Sequence, residues 1–129
     1  GRKYKSCCGP IIGGATADSP VALMRSRYTA YATSNTRYIV KTTHTHGPHA
    51  RPDIAKWEAE IHEFCTAYRF TGLTIHSHHH DESTGRVHFT ATLTASHDQT
   101  ELIEHSLFYR VDNQWLYWGR VSESESAHV

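Results

Sequence analysis

The sequence has no excess of charge of either sign and no long apolar run. Its 129 residues carry 13 Lys and Arg against 13 Asp and Glu, so the formal charge at pH 7 is zero. A dedicated nucleic-acid-binding domain has a basic excess, and so does a protein held on an anionic membrane surface. No apolar stretch approaches the ~18 residues of a membrane-spanning helix, and no signal-peptide pattern is present. We therefore expect neither a nucleic-acid nor a membrane partner.

The sequence also lacks the short motifs that identify common catalytic sites. It contains no G-x-S-x-G, no P-loop, no G-x-G-x-x-G and no H-E-x-x-H. With only three cysteines, two of them adjacent at Cys7 and Cys8, it has no disulfide framework. This favours a cytoplasmic protein whose thiols are free or bound to metal. The absence of a catalytic motif favours a protein that is not an enzyme, although it leaves the question open.

Histidine, in contrast, is abundant, with 12 residues. His76, His78 and His80 alternate in a segment with the two-residue period of a β-strand, so we expect them on one strand face. Three imidazoles at that spacing can chelate Zn²⁺ or Ni²⁺, and His88 on the next strand could add a ligand. The alternative is a solvated strand end that binds no metal.

Hydrophobic periodicity predicts an α+β fold. Apolar residues at helical spacing predict three helices, which begin near Ser19, Asn35 and Pro52. Beyond Arg69 the period changes to two, which predicts about four antiparallel strands. The alternation is strict from Val87 to Ala95, and Asp112-Asn113 predicts a tight hairpin turn before the last strand. Helices that precede strands in this way are typical of α+β domains. We expect a curved sheet that wraps the helices into a cone with an internal pocket. The predicted parts are an arm (1–17), the cone-shaped domain (18–122) and a polar tail (123–129).

Several segments resemble the YchJ-like family. Residues 23–31 (LMRSRYTAY) are similar to its LMRSRYxAY, and residues 38–44 (YIVKTTH) to its YLIKTWH, with Thr43 in place of Trp. Further matches are GLT at 72–74, E-x-S-x-F at 104–108 and the segment after Gln114. The resemblance implies a middle domain similar to nuclear transport factor 2, in agreement with the predicted cone. It implies no reaction, because the family is largely uncharacterised and the fold carries enzymes and non-enzymes.

The first nine residues (GRKYKSCCG) resemble the second half of a SEC-C zinc knuckle. The resemblance implies that Cys7 and Cys8 are zinc ligands. A structural zinc site takes four ligands, so we expect the other two upstream of Gly1 and zinc in the full-length protein. SEC-C knuckles dock protein partners, which implies a protein partner for the arm. The alternative is that both cysteines are incidental.

The candidate pocket residues are those expected to face the inside of the cone. They are Arg25, Tyr28, Tyr31, His44, Trp57, Glu104, Ser106, Phe108 and Arg110. The last four alternate along one face of the third strand, and His44 is included because it matches the YchJ-like motif. Arg25 and Arg27 lie two residues apart on one helix, so at most one of them faces the pocket. A carboxylate in an apolar pocket can transfer protons, so His44 and Glu104 are the catalytic candidates. The alternative is a structural buried pair of Glu104 and an arginine.

Three functions fit this sequence. The favoured one is a non-enzymatic cytoplasmic adaptor or accessory protein, with a zinc knuckle that docks a partner and a cone that binds a small ligand. The second is a small enzyme that uses Glu104 and His44 for proton transfer on an apolar substrate. The third is a histidine-based metal binder.

Overall fold

The computed structural model of the protein describes residues 17–121. In this range the helices α1 (Pro20–Ala32), α2 (Thr36–Lys41) and α3 (Ile54–Ala67) precede the strands β1 (Arg69–His80), β2 (Thr84–Ala95), β3 (Asp98–Val111) and β4 (Gln114–Arg120). The arm, with the zinc ligands predicted at Cys7 and Cys8, and the tail 123–129 lie outside the described residues. None of the helices in 17–121 is long and apolar enough to cross a membrane.

Each helix begins at a side chain that caps it. The Ser19 hydroxyl accepts a hydrogen bond at 3.1 Å from the backbone N–H three residues later. Asn35 and Asp53 cap α2 and α3 in the same way. Such caps satisfy amides that have no partner inside the helix. The predicted starts near Ser19 and Asn35 are confirmed, whereas α3 begins at Ile54 and not at Pro52, because Asp53 supplies the cap.

The four strands form one antiparallel sheet in the order β1-β2-β3-β4. Asp112 and Asn113 join β3 to β4 with φ values of 50° and 64°, the left-handed conformations that a two-residue hairpin turn requires. Along β2, alternate residues are buried, namely Val87, Phe89, Ala91 and Leu93. One sheet face therefore packs against the helices while the other faces away from them. The predicted α+β class with a four-stranded antiparallel sheet is confirmed.

The core lies between the helices and the sheet. Leu23 of α1, Ile39 of α2 and Phe108 of β3 are each at most 2% exposed. Burying a side chain of this size stabilises a fold by about 1.5–3 kcal/mol. From α3, Trp57 and Ile61 are buried against the same core. These contacts hold the helices over the sheet and leave a cavity between them.

A β-bulge at His76 shifts the side-chain alternation of β1 by one residue. Ile75 pairs with Phe89, and the next paired residue, Ser77, lies opposite His88, so His76 is the extra residue. One inserted residue moves every later side chain to the other sheet face. The histidines after the bulge therefore do not lie where uninterrupted alternation places them.

Candidate ligand site in the cone

A cavity of about 460 Å³ lies between the helices and the sheet. Its volume falls within the roughly 300–1,000 Å³ of small-molecule sites. Its walls are mostly apolar and include Met24, Ile39, Trp57, Ile61, Phe89 and Phe108. The predicted pocket residues that line it are Tyr28, Tyr31, Trp57, Glu104, Ser106 and Phe108. The space between the helices and the sheet is therefore a partly open cavity with the size and polarity of a ligand site.

Arg27, and not the predicted Arg25, is the arginine of this cavity. Arg25 is exposed, whereas Arg27 is 6% exposed. Its Nη1 donates hydrogen bonds to the Ile39 carbonyl at 3.1 Å, to Thr42 Oγ1 at 2.8 Å and to Thr43 Oγ1 at 3.1 Å. All three acceptors are neutral. Within residues 17–121, no carboxylate lies within 4 Å of this buried guanidinium.

Tyr117 lies between Arg27 and Glu104. The Arg27 guanidinium carbon is 4.4 Å from the centre of the Tyr117 ring, a cation–π contact. The Tyr117 hydroxyl donates a hydrogen bond to Glu104 Oε1 at 2.7 Å. Burial, together with the charge and hydrogen bond of Glu104, raises the pKa of Tyr117 far above its ordinary value, although Arg27 opposes the shift. The phenol therefore remains a neutral donor at physiological pH.

Glu104 receives both of its hydrogen bonds on one oxygen. Ser106, which is two residues further on the same face of β3, donates to Oε1 at 2.8 Å, as does Tyr117 at 2.7 Å. No residue in 17–121 hydrogen-bonds to Oε2. Glu104, Ser106, Tyr117 and Arg27 all line the cavity, and we call these four residues the polar floor. Among the described residues, Glu104 makes no direct ion pair with an arginine. The alternative of a buried pair between Glu104 and an arginine is therefore not observed, and Tyr117 lies between Glu104 and Arg27 instead.

His44 does not line the cavity. Thr43, which precedes it, forms a parallel bridge with Tyr117 of β4 and faces the cavity. Neighbouring side chains of an extended segment point to opposite sides, so His44 points away, with its ring 5.0 Å from that of Trp118. The structure therefore does not bring His44 together with Glu104.

Arg110 also lies outside the cavity lining. It shares the β3 face of Glu104, as predicted, but it is exposed at the far end of the strand, where it pairs with Trp115 of β4. The correct face alone does not bring a side chain to the pocket.

His49 lines the cavity although the sequence does not indicate it. Its ring centre lies 5.7 Å from that of Tyr117, and it lines the cavity. The loop that carries it folds against β4, where a Cβ on Gly47 would meet the Trp118 carbonyl oxygen at 2.9 Å. A loop has no periodicity from which a side-chain direction can be deduced, so no sequence signal distinguished His49.

The cavity mouth combines aromatic rings with an exposed ion pair. Tyr31 stacks on Phe70 with ring centres 5.7 Å apart, and Phe64 meets both rings edge-on. Arg51 and Glu60 approach to 3.6 Å, with side chains 60% and 44% exposed. An exposed pair of this kind contributes less than about 1 kcal/mol. It therefore does not hold the mouth closed against a ligand.

The structure does not bring His76, His78 and His80 to one face, so that prediction is wrong. After the bulge, His78 lies opposite Val87, on the face that carries the core. His76 instead hydrogen-bonds through Nε2 to Thr90 Oγ1 at 2.7 Å on the outer face. In the part of the chain that the structure describes, no group of three or more His, Cys, Asp or Glu is arranged to hold a metal ion.

Three histidines form a different row on the outer face of the sheet. The rings of His76 and His88 lie 4.7 Å apart, and those of His88 and His105 stack at 3.9 Å. Partial burial and the charges of His105 and His76 lower the pKa of His88. These neighbours therefore disfavour a positive charge on the central imidazole.

Comparisons with known proteins agree with this fold. The family model described as "YchJ, middle NTF2-like domain" matches residues 19–119. A UPF0225 protein of Pectobacterium carotovorum is 38% identical over 123 residues, which cover 91% of this chain and 76% of the relative. A UPF0225 protein of Deinococcus radiodurans is 36% identical over 119 residues, covering 91% of this chain and 81% of the relative.

Two solved structures share the architecture. A SEC-C motif containing protein from Rhodopseudomonas palustris has a TM-score of 0.80 and 28% identity, and the match covers 95% of this chain and 93% of that one. A SEC-C motif containing protein from Psychrobacter arcticus has a TM-score of 0.75 and 23% identity, with 94% and 75% covered, and shows the fold alone. The chain belongs to the YchJ family, and residues 19–119 form its middle NTF2-like domain.

Proposed function

We propose that the cone binds a small organic molecule with an apolar body and a polar head. The observation that carries this proposal is the lining of the cavity, in which aromatic and aliphatic walls converge on the polar floor. Apolar surface removed from water supplies affinity, and a few convergent polar groups fix the orientation of a ligand. We further propose that the protein is an accessory protein and not an enzyme.

The volume of the cavity limits the size of the ligand and therefore indicates the affinity to expect. A ligand with on the order of 20 non-hydrogen atoms, bound at about 0.3 kcal/mol per atom, has a Kd of roughly tens of µM. Ligand screening at millimolar concentration therefore detects binding in the cone.

A pair of tryptophan substitutions on β3 tests the proposal. Leu102 lines the cavity, whereas its neighbour Ile103 is 52% exposed on the outer face. Leu102→Trp fills the cavity without changing the polar floor, and Ile103→Trp is the matched control. In a fragment screen by ligand-observed NMR, we expect apolar fragments with a polar head to bind the wild type and Ile103→Trp but not Leu102→Trp. Equal binding to all three proteins, or none to the wild type, would overturn the proposal.

A second candidate function is proton transfer by Glu104. It is favoured by one observation, that Ser106 and Tyr117 hold Oε1 and leave Oε2 to the cavity. A carboxylate oxygen held in this way can remove a proton from a bound carbon acid. The test is exchange of solvent deuterium into a carbon acid that binds the cone, followed by NMR. Exchange that is lost in Glu104→Gln, with binding retained, supports an enzyme, and no exchange by the wild type excludes this function for that substrate class.

For the arm we propose zinc binding through Cys7 and Cys8 and docking of a protein partner in the cytoplasm. The support is the resemblance of GRKYKSCCG to a SEC-C knuckle and the names of the two structural relatives. A protein extended upstream by two further cysteines should hold about one zinc per chain. Cys7→Ser in that protein should lower the zinc content. No zinc in the reduced extended protein would contradict the proposal.

A further inference from the structure

We infer that the ligand of the cone is an apolar or aromatic carboxylate with an N–H or O–H donor next to its carboxylate, as in a 2-hydroxy or 2-amino acid. The inference rests on the proposed function, because it names the polar head of the ligand that the cone would bind. The inference follows from the donor groups of Arg27 and the acceptor oxygen of Glu104 that have no hydrogen-bond partner among the described residues.

Arg27 supplies the anion site. All of its hydrogen bonds in residues 17–121 are made by Nη1, and they go to neutral oxygens. Nε and Nη2 donate to no residue there, and neither is among the fully buried side-chain atoms that lack a partner, so both are accessible from the cavity side. Since Arg27 is 6% exposed and lines the cavity, this edge of the guanidinium faces the cavity. Two N–H groups on one edge of a guanidinium match the two oxygens of a carboxylate.

The threonines that hold Nη1 fix the direction of this edge. Thr42 Oγ1 donates its hydrogen to the Tyr38 carbonyl, and Thr43 Oγ1 donates to the Ile39 carbonyl, both at 2.7 Å. Their lone pairs are thereby directed to Arg27. The guanidinium also lies on the Tyr117 ring, so it is held on two sides before a ligand arrives. Such preorganisation lowers the entropy that binding costs.

Glu104 adds the requirement for a donor. Because Oε1 already accepts from Ser106 and Tyr117, the oxygen left for a ligand is Oε2. A carboxylate ligand without a donor would bring a second negative charge near Glu104 and leave Oε2 unpaired. A hydroxyl or amino group beside the ligand carboxylate pairs with Oε2, and a protonated amino group also offsets the repulsion between the two carboxylates.

The spacing of the two groups favours neighbouring atoms in the ligand. Arg27 and Glu104 both contact Tyr117, one on its ring and the other at its hydroxyl. The matching ligand groups must therefore lie within a few bonds of each other. The apolar body then extends along the aromatic walls toward Phe64 and Phe70 at the mouth.

A series of four probes with one phenyl body tests this inference at pH 7. The probes are 3-phenyllactate, phenylalanine, 3-phenylpropanoate, which lacks the donor, and 2-phenylethanol, which lacks the carboxylate. Calorimetry or NMR titration should show 3-phenyllactate or phenylalanine bound at least roughly 10-fold more tightly than both truncated probes. Arg27→Lys, which keeps the charge and loses the planar edge, should lower the affinity for the carboxylates and leave that for 2-phenylethanol unchanged. Glu104→Gln should reduce the advantage of 3-phenyllactate over 3-phenylpropanoate.

The outcomes separate this inference from the proposed function. If 2-phenylethanol binds as tightly as 3-phenyllactate, and Leu102→Trp abolishes both, the cone binds ligands but the carboxylate assignment is wrong. If no probe binds and the fragment screen is also empty, the proposed function itself fails. The probe series needs no substitution in the core, so it remains decisive even if Arg27→Lys does not fold.

Discussion

Replacing Tyr117 with phenylalanine removes one hydroxyl from the polar floor and keeps the ring under Arg27. The hydroxyl donates to Glu104 Oε1 at 2.7 Å, and a hydrogen bond to a charged group contributes about 1.5–3 kcal/mol. Glu104 keeps Ser106 as a donor and has Oε2 open to the cavity, so part of the loss can be recovered by water. We therefore expect Tyr117→Phe to lower the free energy of unfolding by about 1.5 kcal/mol, the low end of that range.

The assay is urea unfolding at pH 7 in a double-mutant cycle with Glu104→Gln. The amide of glutamine still accepts a hydrogen bond but carries no charge, so the cycle isolates the charged part of the Tyr117–Glu104 interaction. We expect a coupling free energy of about 1 kcal/mol, since a charge-assisted hydrogen bond is roughly twice as strong as a neutral one. Tyr109→Phe is the matched control, because its hydroxyl makes no hydrogen bond in residues 17–121. Its effect should stay within about 0.5 kcal/mol.

Two results would refute this reasoning. One is a cost for Tyr117→Phe no larger than that for Tyr109→Phe, which would mean that the hydroxyl does not hold Glu104. The other is strict additivity of Tyr117→Phe and Glu104→Gln. Either result would remove the physical basis for a carboxylate with one oxygen fixed and the other free.

Three further predictions concern titration and capping. Because the pKa of Tyr117 is raised in the folded state, unfolding releases its proton above about pH 10, and the free energy of unfolding falls as the pH rises. Tyr117→Phe should make that fall less steep in urea unfolding. An equal dependence on pH in the wild type and the variant would contradict this prediction. The pKa of His88 is lowered, first by partial burial and then by His105 and His76. The unfolded state therefore binds more protons below about pH 6.5, and the free energy of unfolding falls as the pH decreases. His88→Gln should reduce the loss of stability between pH 7 and pH 5. An equal loss in the wild type and the variant would disprove the effect. Ser19→Ala should cost about 1 kcal/mol and Ser19→Gly only a few tenths, and equal costs in thermal unfolding would show that the Ser19 cap does not stabilise α1.

The features that the sequence predicted correctly are those fixed by local chemistry. Ser19 and Asn35 cap helices because their side-chain oxygens reach amides three residues later. The Asp112–Asn113 pair forms the last turn because both residue types tolerate a positive φ. Strict alternation of apolar and polar residues along β2 identifies the buried face of the sheet, whichever residues pack against that face.

The errors arise where the outcome depends on contacts distant in the sequence. The choice of Arg25 over Arg27 failed because α1 buries polar residues. Ser26 is fully buried and bonds to Tyr38 at 2.7 Å, so the apolar pattern of this helix does not indicate which side faces the cone. The bulge at His76 is defined only by the pairing of β1 with β2. His44 was assigned to the pocket for its likeness to a family motif, and such a likeness does not give a side-chain direction.

The polar floor is easier to understand as a binding site than as a support of the fold. A buried guanidinium that has no carboxylate within 4 Å in the described residues, beside a carboxylate with one oxygen unpaired, destabilises a fold relative to well-packed apolar side chains. The surrounding residues hold this arrangement in place, since Thr42, Thr43 and the Tyr117 ring all contact Arg27. Charged side chains in a core reduce stability. Where their neighbours nevertheless hold them rigidly, they indicate a site that is organised for something other than stability. In this cone the unmade hydrogen bonds face a cavity of ligand size, so a ligand is the partner that would complete them.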